Sequence, residues 1–368
     1  MMCHSAPCPA PESGRRPRPV SRLRPAPRAA ACRAAALLLW ACAWLGAAAP
    51  AATAAAPAGS GPAAAVQAAG RLDEAPRMAI LSAFAPELEL LRARLQDPRV
   101  HAVQGVEFIT GRLEGKPVVL SLSGISMVNA AMNTQLLFDR FHVTHLIFSG
   151  IAGGVNPDLR IGDVSVPERW GQYLEVVMMR ETAPGQYRAP ASKGTFQFAP
   201  YGMMQPRAVR VRPGGDADGV AGGVADARSA GGGTGIQEKF WFEADPGMLA
   251  VARGIQSVPL RACDREDRCL DERPRLVVGG NGVSGQAFVD NADFRRYAFR
   301  TFQANVLDME SAACAQVAWR AGVPFIAFRS LSDLAGGGPG ENEMDAFLHI
   351  AADNAAQVLL AFLRAWPG

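Results

Sequence analysis

Short apolar runs that give way to helical spacing, repeated along the chain, restrict this sequence more than any other feature. Met78 to Phe84 precedes a pattern carrying Leu88, Leu91 and Leu95, with Pro86 acceptable in a first helical turn. Met127 to Phe141 reads as a helix and leads into the apolar run Thr144 to Ser149. Val306 to Met309 runs directly into the helical pattern Glu310 to Arg320, and Phe325 to Ser332 precedes the long amphipathic stretch Glu341 to Ala365. Apolar runs this short fit buried strands. Strands alternating with helices imply a mostly parallel sheet with helices on both faces. Phe108 to Leu113 and Val118 to Ser123 flank a Glu-Gly-Lys-Pro turn and predict a hairpin, so the sheet is mixed. Asp163 to Pro167 and Pro274 to Val283 add strands, and Asp290 to Thr301 adds a helix. The expectation is a single α/β domain over residues 77–368.

Three stretches fall outside that pattern. Residues 1–56 begin with an arginine-rich segment followed by the apolar run Ala34 to Ala49 and then small residues. That order reads as a signal peptide, and implies a periplasmic or secreted protein with no stable membrane association once the segment is cleaved. An uncleaved anchor and a lipid-anchored Cys42 are the alternatives; the first needs a longer apolar run and the second leaves a very short one. Residues 57–76, rich in Ala, Gly and Pro, read as a linker. Residues 213–235, glycines among small polar residues, read as a flexible insertion within a poorly patterned stretch from Glu181 to Asp245.

Composition then narrows the partners. The chain of 368 residues carries 37 basic and 34 acidic side chains, but residues 1–55 hold seven arginines against Glu12. The remaining 30 basic and 33 acidic groups give a body near −3. Nucleic acid demands a basic face, so it is excluded as a partner. Of the seven cysteines, Cys263, Cys269 and Cys314 lie beyond the targeting segment. Cys263 and Cys269 bracket a short polar stretch and predict a disulfide in an oxidising compartment. Two unrelated thiols or metal ligands remain the alternatives, although no second Cys or His pair stands nearby to complete a zinc site. Cys314 sits in an apolar helical pattern and reads as a core thiol.

In open α/β sheets ligands bind beyond the carboxyl ends of the strands. That rule directs attention to Glu87, the glycines of 150–154, Phe288, Glu310 and the cluster Arg329 to Asp333. The motifs there are Gly150-Ile-Ala-Gly-Gly154, Asn156-Pro-Asp-Leu-Arg-Ile-Gly-Asp-Val164, Gly282-Val-Ser-Gly-Gln-Ala-Phe-Val289, Leu307-Asp-Met-Glu-Ser-Ala-Ala313 and Phe328-Arg-Ser-Leu-Ser-Asp333. Together they resemble the nucleoside phosphorylase and nucleosidase superfamily. They are most similar to the branch that cleaves methylthioadenosine and S-adenosylhomocysteine. Asn156-Pro157, Trp170 and the Cys263/Cys269 loop resemble the longer bark storage protein branch and its bacterial relatives. The resemblance covers residues 78–173 and 274–366.

The resemblance implies a role for each residue. Asp333, oriented by Ser332, protonates the purine at N7 and so turns a poor leaving group into a good one. Glu87 with Arg329 positions the attacking water. Glu310 accepts from the ribose hydroxyls while Met309 packs under the sugar. Phe288 stacks on the base, and the Val289 backbone reads its edge. Gly150, Ile151, Ala152 and Gly153 line the ligand, the glycines allowing close backbone approach. Plainer readings exist: a helix cap for Asp333, a first-turn acid for Glu310 or Glu87, core packing for Met309 and Phe288. An arginine in an apolar strand, by contrast, must be paired.

Two departures bear on the nucleophile. Ile151 stands where these enzymes carry a small hydroxyl residue, and no arginine stands at Phe148 or near Ala83 to Glu87. Phosphate needs a cradle of arginines, hydroxyls or amides. The expected reaction is therefore hydrolysis of an adenosine-type purine nucleoside to free base, with no metal or organic cofactor implied. A homodimer follows from the resemblance alone. The rivals are a phosphate-dependent phosphorylase and a non-enzymatic nucleoside-binding or storage protein.

Overall fold

The computed structural model describes residues 70–193, 195–213, 235–264 and 267–367. The expected targeting segment, residues 57–69 and residues 214–234 of the glycine-rich insertion lie outside the described residues. The linker predicted to reach residue 76 ends earlier. Strand β1 (Asp73–Ser82) begins at Asp73, whose carboxylate pairs with Arg77 at 2.6 Å, and the Leu72 amide donates to the Arg140 carbonyl.

Helix α1 (Ala85–Arg94) follows, then the antiparallel strands β2 (Gln96–Val103), β3 (Val106–Leu113) and β4 (Lys116–Leu122). Helix α2 (Met127–Arg140) leads into the long strand β5 (Phe141–Gly154), and β6 (Val164–Val166) and β7 (Arg169–Gln172) come next. The stretch without a clear pattern is not structureless. Strands β8 (Val176–Met178), β9 (Arg180–Ala183), β10 (Gln186–Arg188), β11 (Met204–Pro206), β12 (Val209–Val211) and β13 (Gln237–Lys239) pair as two-stranded ribbons. At three or four residues each they are too short to leave a period in the sequence. Strand β14 (Trp241–Glu243) and helix α3 (Pro246–Arg253) follow, the helix capped by the Asp245 side chain on the Met248 amide. The single strand expected over 274–283 is two, β15 (Leu276–Val278) and β16 (Asn281–Ser284). Gly279 and Gly280 break it with φ of 126° and 73°, which only glycine adopts readily. Helix α4 (Ala292–Phe302), β17 (Ala304–Asp308), α5 (Ser311–Ala321), β18 (Phe325–Asp333) and α6 (Met344–Ala365) complete the fold.

The result is one mixed, mostly parallel 12-stranded sheet flanked by helices. Within each central strand alternate residues face opposite layers. Ile80, Ile147, Ile326 and Phe328 pack with Leu359 and Phe362 of α6, while Leu81, Phe148 and Ala327 pack in a second cluster with residues of α2 and α5. Strand β5 organises the site. Its first half runs parallel to β1, with Ile147 opposite Ile80, and Leu146 to Ala152 run parallel to β18. Its last residues, Gly153 and Gly154, pair antiparallel with Leu307 and Val306 of β17. The glycine run predicted to follow the strand is therefore part of it, and the carboxyl ends of β1, β17 and β18 gather along one backbone.

Cys263 and Cys269 form the predicted disulfide, with S–S 2.02 Å. The segment leading into that loop is held to the fold by Asn354, whose buried side chain bonds the Arg261 amide and carbonyl and the Gly162 carbonyl. Cys314 is buried as expected; burial pushes its thiol up to about 12, and the Thr134 hydroxyl donates to it at 3.3 Å.

Candidate active site

Glu87 lies in the first turn of α1 and reaches back over the helix start. Its Oε2 accepts from the Ala83 amide at 2.6 Å and its Oε1 from the Ile151 amide at 2.7 Å. The same geometry satisfies a helix N-terminus and fixes the carboxylate against β5. Burial raises its pKa from 4.5 to about 7, against the opposing pull of Arg329.

Glu310 is the N-cap residue of α5. Its Oε1 accepts from the Ser126 amide at 2.8 Å and its Oε2 from Arg329 Nη2 at 3.2 Å. Burial raises its pKa as well, with Arg329 working against that and Asp308 adding to it. Ser126 delivers its amide from φ 82°, ψ 157°, a conformation close to glycine-only. Such strain in a non-glycine residue persists only where the surroundings enforce it.

Arg329, an arginine in an apolar strand, is fully buried and fully engaged. Nη2 lies 2.6 Å from Asp308 Oδ2, Nη1 donates to the Ile151 carbonyl at 2.9 Å, and Nε donates to Ser311 Oγ at 3.0 Å. The guanidinium also lies over the Phe148 ring, 4.1 Å from its centroid. Glu87 Oε1 is its most distant carboxylate partner at 3.8 Å. At the end of β18, Asp333 accepts from Ser332 Oγ and from the Ala335 amide, both at 2.8 Å. Asn342 Nδ2 approaches the same carboxylate at 3.4 Å.

These groups surround a cavity of about 390 Å³, the size of a small-molecule site. Of the predicted residues, Glu87, Ile151, Ala152, Gly153, Phe288, Val289, Met309, Glu310, Ser332 and Asp333 line it. Phe288 is exposed at its mouth. Gly150 and Arg329 do not line it, which corrects the ligand-facing role expected of Gly150. A Cβ there would meet Glu87 Oε1 at 2.4 Å and Arg329 Nη1 at 2.6 Å, so the missing side chain makes room for the ion pair rather than for a ligand. Gly153 similarly abuts Asp333 Oδ1, at 3.2 Å from its would-be Cβ.

Sequence reasoning missed Phe84, Ile125, Asp308 and Met344, all on the cavity wall. Asp308 was findable, since an acid closing an apolar strand needs a partner for the same reason as Arg329. Ile125 and Met344 stand in segments with no motif to mark them. Among the described residues, no lysine or arginine lines the cavity. Among the described residues no group of three His, Cys, Asp or Glu side chains is placed to hold a metal ion, and the converging carboxylates are tied to Arg329.

The family model of the phosphorylase superfamily matches residues 77–364. The chain belongs to the phosphorylase superfamily. Among its relatives, the 5′-methylthioadenosine/S-adenosylhomocysteine nucleosidase of Geobacillus kaustophilus is 31% identical over 290 residues, 78% of this chain and 96% of its own length. The enzyme of that name from Marinomonas is 28% identical over 285 residues, 77% of this chain and 97% of its own. The solved structure of the nucleosidase from S. pneumoniae with a transition-state inhibitor aligns with a TM-score of 0.55 at 25% identity, covering 78% of this chain and 99% of that one. This superfamily member thus covers nearly the whole length of these nucleosidase relatives, and residues 1–76 lie outside the family match.

Proposed function

We propose that this phosphorylase-superfamily member hydrolyses the N-glycosidic bond of a purine nucleoside of the adenosine type, releasing the free base. The observation that carries the reading is a cavity with Glu87, Glu310 and Asp333 on its wall and, among the described residues, no lysine or arginine lining it. A dianionic phosphate finds no cationic cradle there, whereas water can be held by one carboxylate. In this reading Asp333, steadied by Ser332, passes a proton to N7 as the C1′–N9 bond lengthens. Glu310 accepts from the ribose diol, and its charge steadies the cationic sugar. Glu87 accepts a proton from water as the oxygen bonds to C1′. Phe288, with Val289, covers the base, and Met309 packs under the sugar. Arg329, behind the wall, acts on the reaction only through the carboxylates it holds.

The test is to incubate the purified protein with a nucleoside panel, with and without phosphate, and to follow free base. Release that requires phosphate would make it a phosphorylase. Binding without release would favour a storage protein.

The remaining expectations belong to the same proposal. Residues 1–56 serve as a cleaved signal peptide, 57–72 as a linker, and the body is periplasmic or secreted. A disulfide between Cys263 and Cys269 suits an oxidising compartment. The body acts as a homodimer. Support comes from Ile125, on the cavity wall, and from Val128 and Met132 of the adjoining α2, which are 50%, 56% and 59% exposed. Light scattering of the purified protein tests the dimer, and N-terminal sequencing of the exported form tests the cleavage.

A further inference from the structure

Asp308 takes the shortest contact to Arg329 of the three carboxylates around it, 2.6 Å against 3.2 Å for Glu310 and 3.8 Å for Glu87. Its other oxygen accepts from Ser284 Oγ at the end of β16, and from the amides of Glu310 and Ser311 at 3.3 Å each. Ser284 Oγ in turn accepts from the Ala312 amide at 2.8 Å. The ends of β16 and β17, the middle of β18 and the start of α5 therefore meet on one buried carboxylate. We propose that Asp308 is the positioning residue of this site: by fixing Arg329 and the first turn of α5, it sets where Glu310 and Glu87 stand on the cavity wall. The expected rates rest on the functional reading above; the geometry does not.

The charges agree with this. The titratable groups around Asp308 are Glu87 from α1, Glu310 and Cys314 from the start of α5 and its first turn, Arg329 from β18, and Tyr173 just beyond β7. Three carboxylates share one guanidinium. Glu87 is the most distant of them, and burial lifts its pKa to about 7 against the pull of the guanidinium. Removing the Asp308 charge while keeping its shape takes one like charge from the cluster, which favours the ionised form of Glu87.

The experiment uses the full chain with Asp308→Asn and Ser284→Ala. Asparagine can still accept from Ser284 and the amides but carries no charge toward Arg329. Carboxyl-carbon NMR of glutamate-labelled protein, with the Glu87 signal assigned by its loss in Glu87→Gln, needs no substrate. The parent midpoint is expected at about 7, and Asp308→Asn moves it to lower pH. In the same variant kcat for base release falls ~10- to 100-fold, the size expected for an ångström-scale misplacement, with a smaller change in KM. Ser284→Ala keeps the charge but loosens its orientation, so kcat falls less and the midpoint stays. Unfolding curves establish that each variant is folded. A parental midpoint or a parental kcat in folded Asp308→Asn overturns the proposal. So does an unfolded Asp308→Asn beside a Ser284→Ala that turns over like the parent. If the parent itself releases no base, the functional reading fails and the NMR midpoint alone decides the inference.

Discussion

Gly150→Ala tests the site through a single methyl group. An ideal Cβ at Gly150 falls 2.4 Å from Glu87 Oε1 and 2.6 Å from Arg329 Nη1. Ordinary contact is about 3.5 Å, so the neighbours must yield by roughly 1 Å. Flexible side-chain ends normally swing aside, but these cannot. Glu87 is pinned by the Ala83 and Ile151 amides, and Arg329 by Asp308, Glu310, Ser311 and the Ile151 carbonyl. Overpacking of this kind costs about 1–3 kcal/mol. Losing the Ile151–Glu87 hydrogen bond adds about 1.5–3 kcal/mol, because the acceptor is a carboxylate. A destabilisation of about 2.5–6 kcal/mol is therefore expected from urea unfolding followed by circular dichroism. Glu87 displaced by ~1 Å should also lower kcat by ~10²-fold in a base-release assay on the folded fraction. Unchanged stability and unchanged kcat would refute the reasoning. A raised KM alone would return Gly150 to a ligand-facing role.

Asp333→Asn should lower turnover ~10²–10⁴-fold with little change in nucleoside affinity, since the transferred proton matters in the transition state; near-parental turnover would remove Asp333 from the mechanism. Glu310→Gln should weaken both binding and turnover, because it loses the charge facing the sugar, and separate measurements of affinity and kcat distinguish the two variants. Glu87 has a folded pKa of about 7 against an ordinary 4.5, so its stabilising contribution is complete below 4.5 and is lost as the pH rises through 7. The loss amounts to about 3 kcal/mol, seen as a falling urea midpoint between pH 4.5 and 8 that Glu87→Ala abolishes, while activity rises over the same range as the base ionises. Ser126→Gly relieves a conformation of φ 82°, ψ 157° and should raise stability by about 1 kcal/mol, after subtracting glycine's entropy from the strain; no gain in the unfolding midpoint would mean that the strain is not stored there.

The sheet was legible because its central strands carry uninterrupted apolar runs, and nearly all the polar exceptions at their ends proved to line or back the cavity. Glu87, Glu310 and Asp333 were singled out this way, and the fold brings Glu87 to one cavity wall with the other two from more than 200 positions away along the chain. Local pattern failed where structure is too short to repeat, as in β8 to β13. Strand β2, mostly exposed, was missed for want of a buried period, and α3 because it is only eight residues long, although Met248, Leu249 and Ala252 form a buried face. The glycines of β5 misled differently. A glycine run signals close approach but does not name what approaches, and at Gly150 it is Glu87 and Arg329. Asp308 was passed over because its neighbours Met309 and Glu310 carried the motif, although it is the acid closest to Arg329.

The way the site is tied together also governs how the chain reaches it. The bond from the Ser126 amide to Glu310 joins residues 184 positions apart, and that from Arg329 to the Ile151 carbonyl joins residues 178 apart. Contacts of such range close late, because the loop entropy comes before any reward. Until all the segments dock, each acid of the cluster keeps its water and its charge. Glu87 and Glu310 lose their hydration only in the final assembly, where Arg329 and the Ile151 and Ser126 amides offset the cost, so the cluster makes that last step all-or-none. Helices α1 and α6 and the β2–β4 meander, built on nearer contacts, can form ahead of it. After dilution from denaturant, helical signal should therefore recover in an early phase, and base release in a slower one set by the docking of β17 and β18 onto β5.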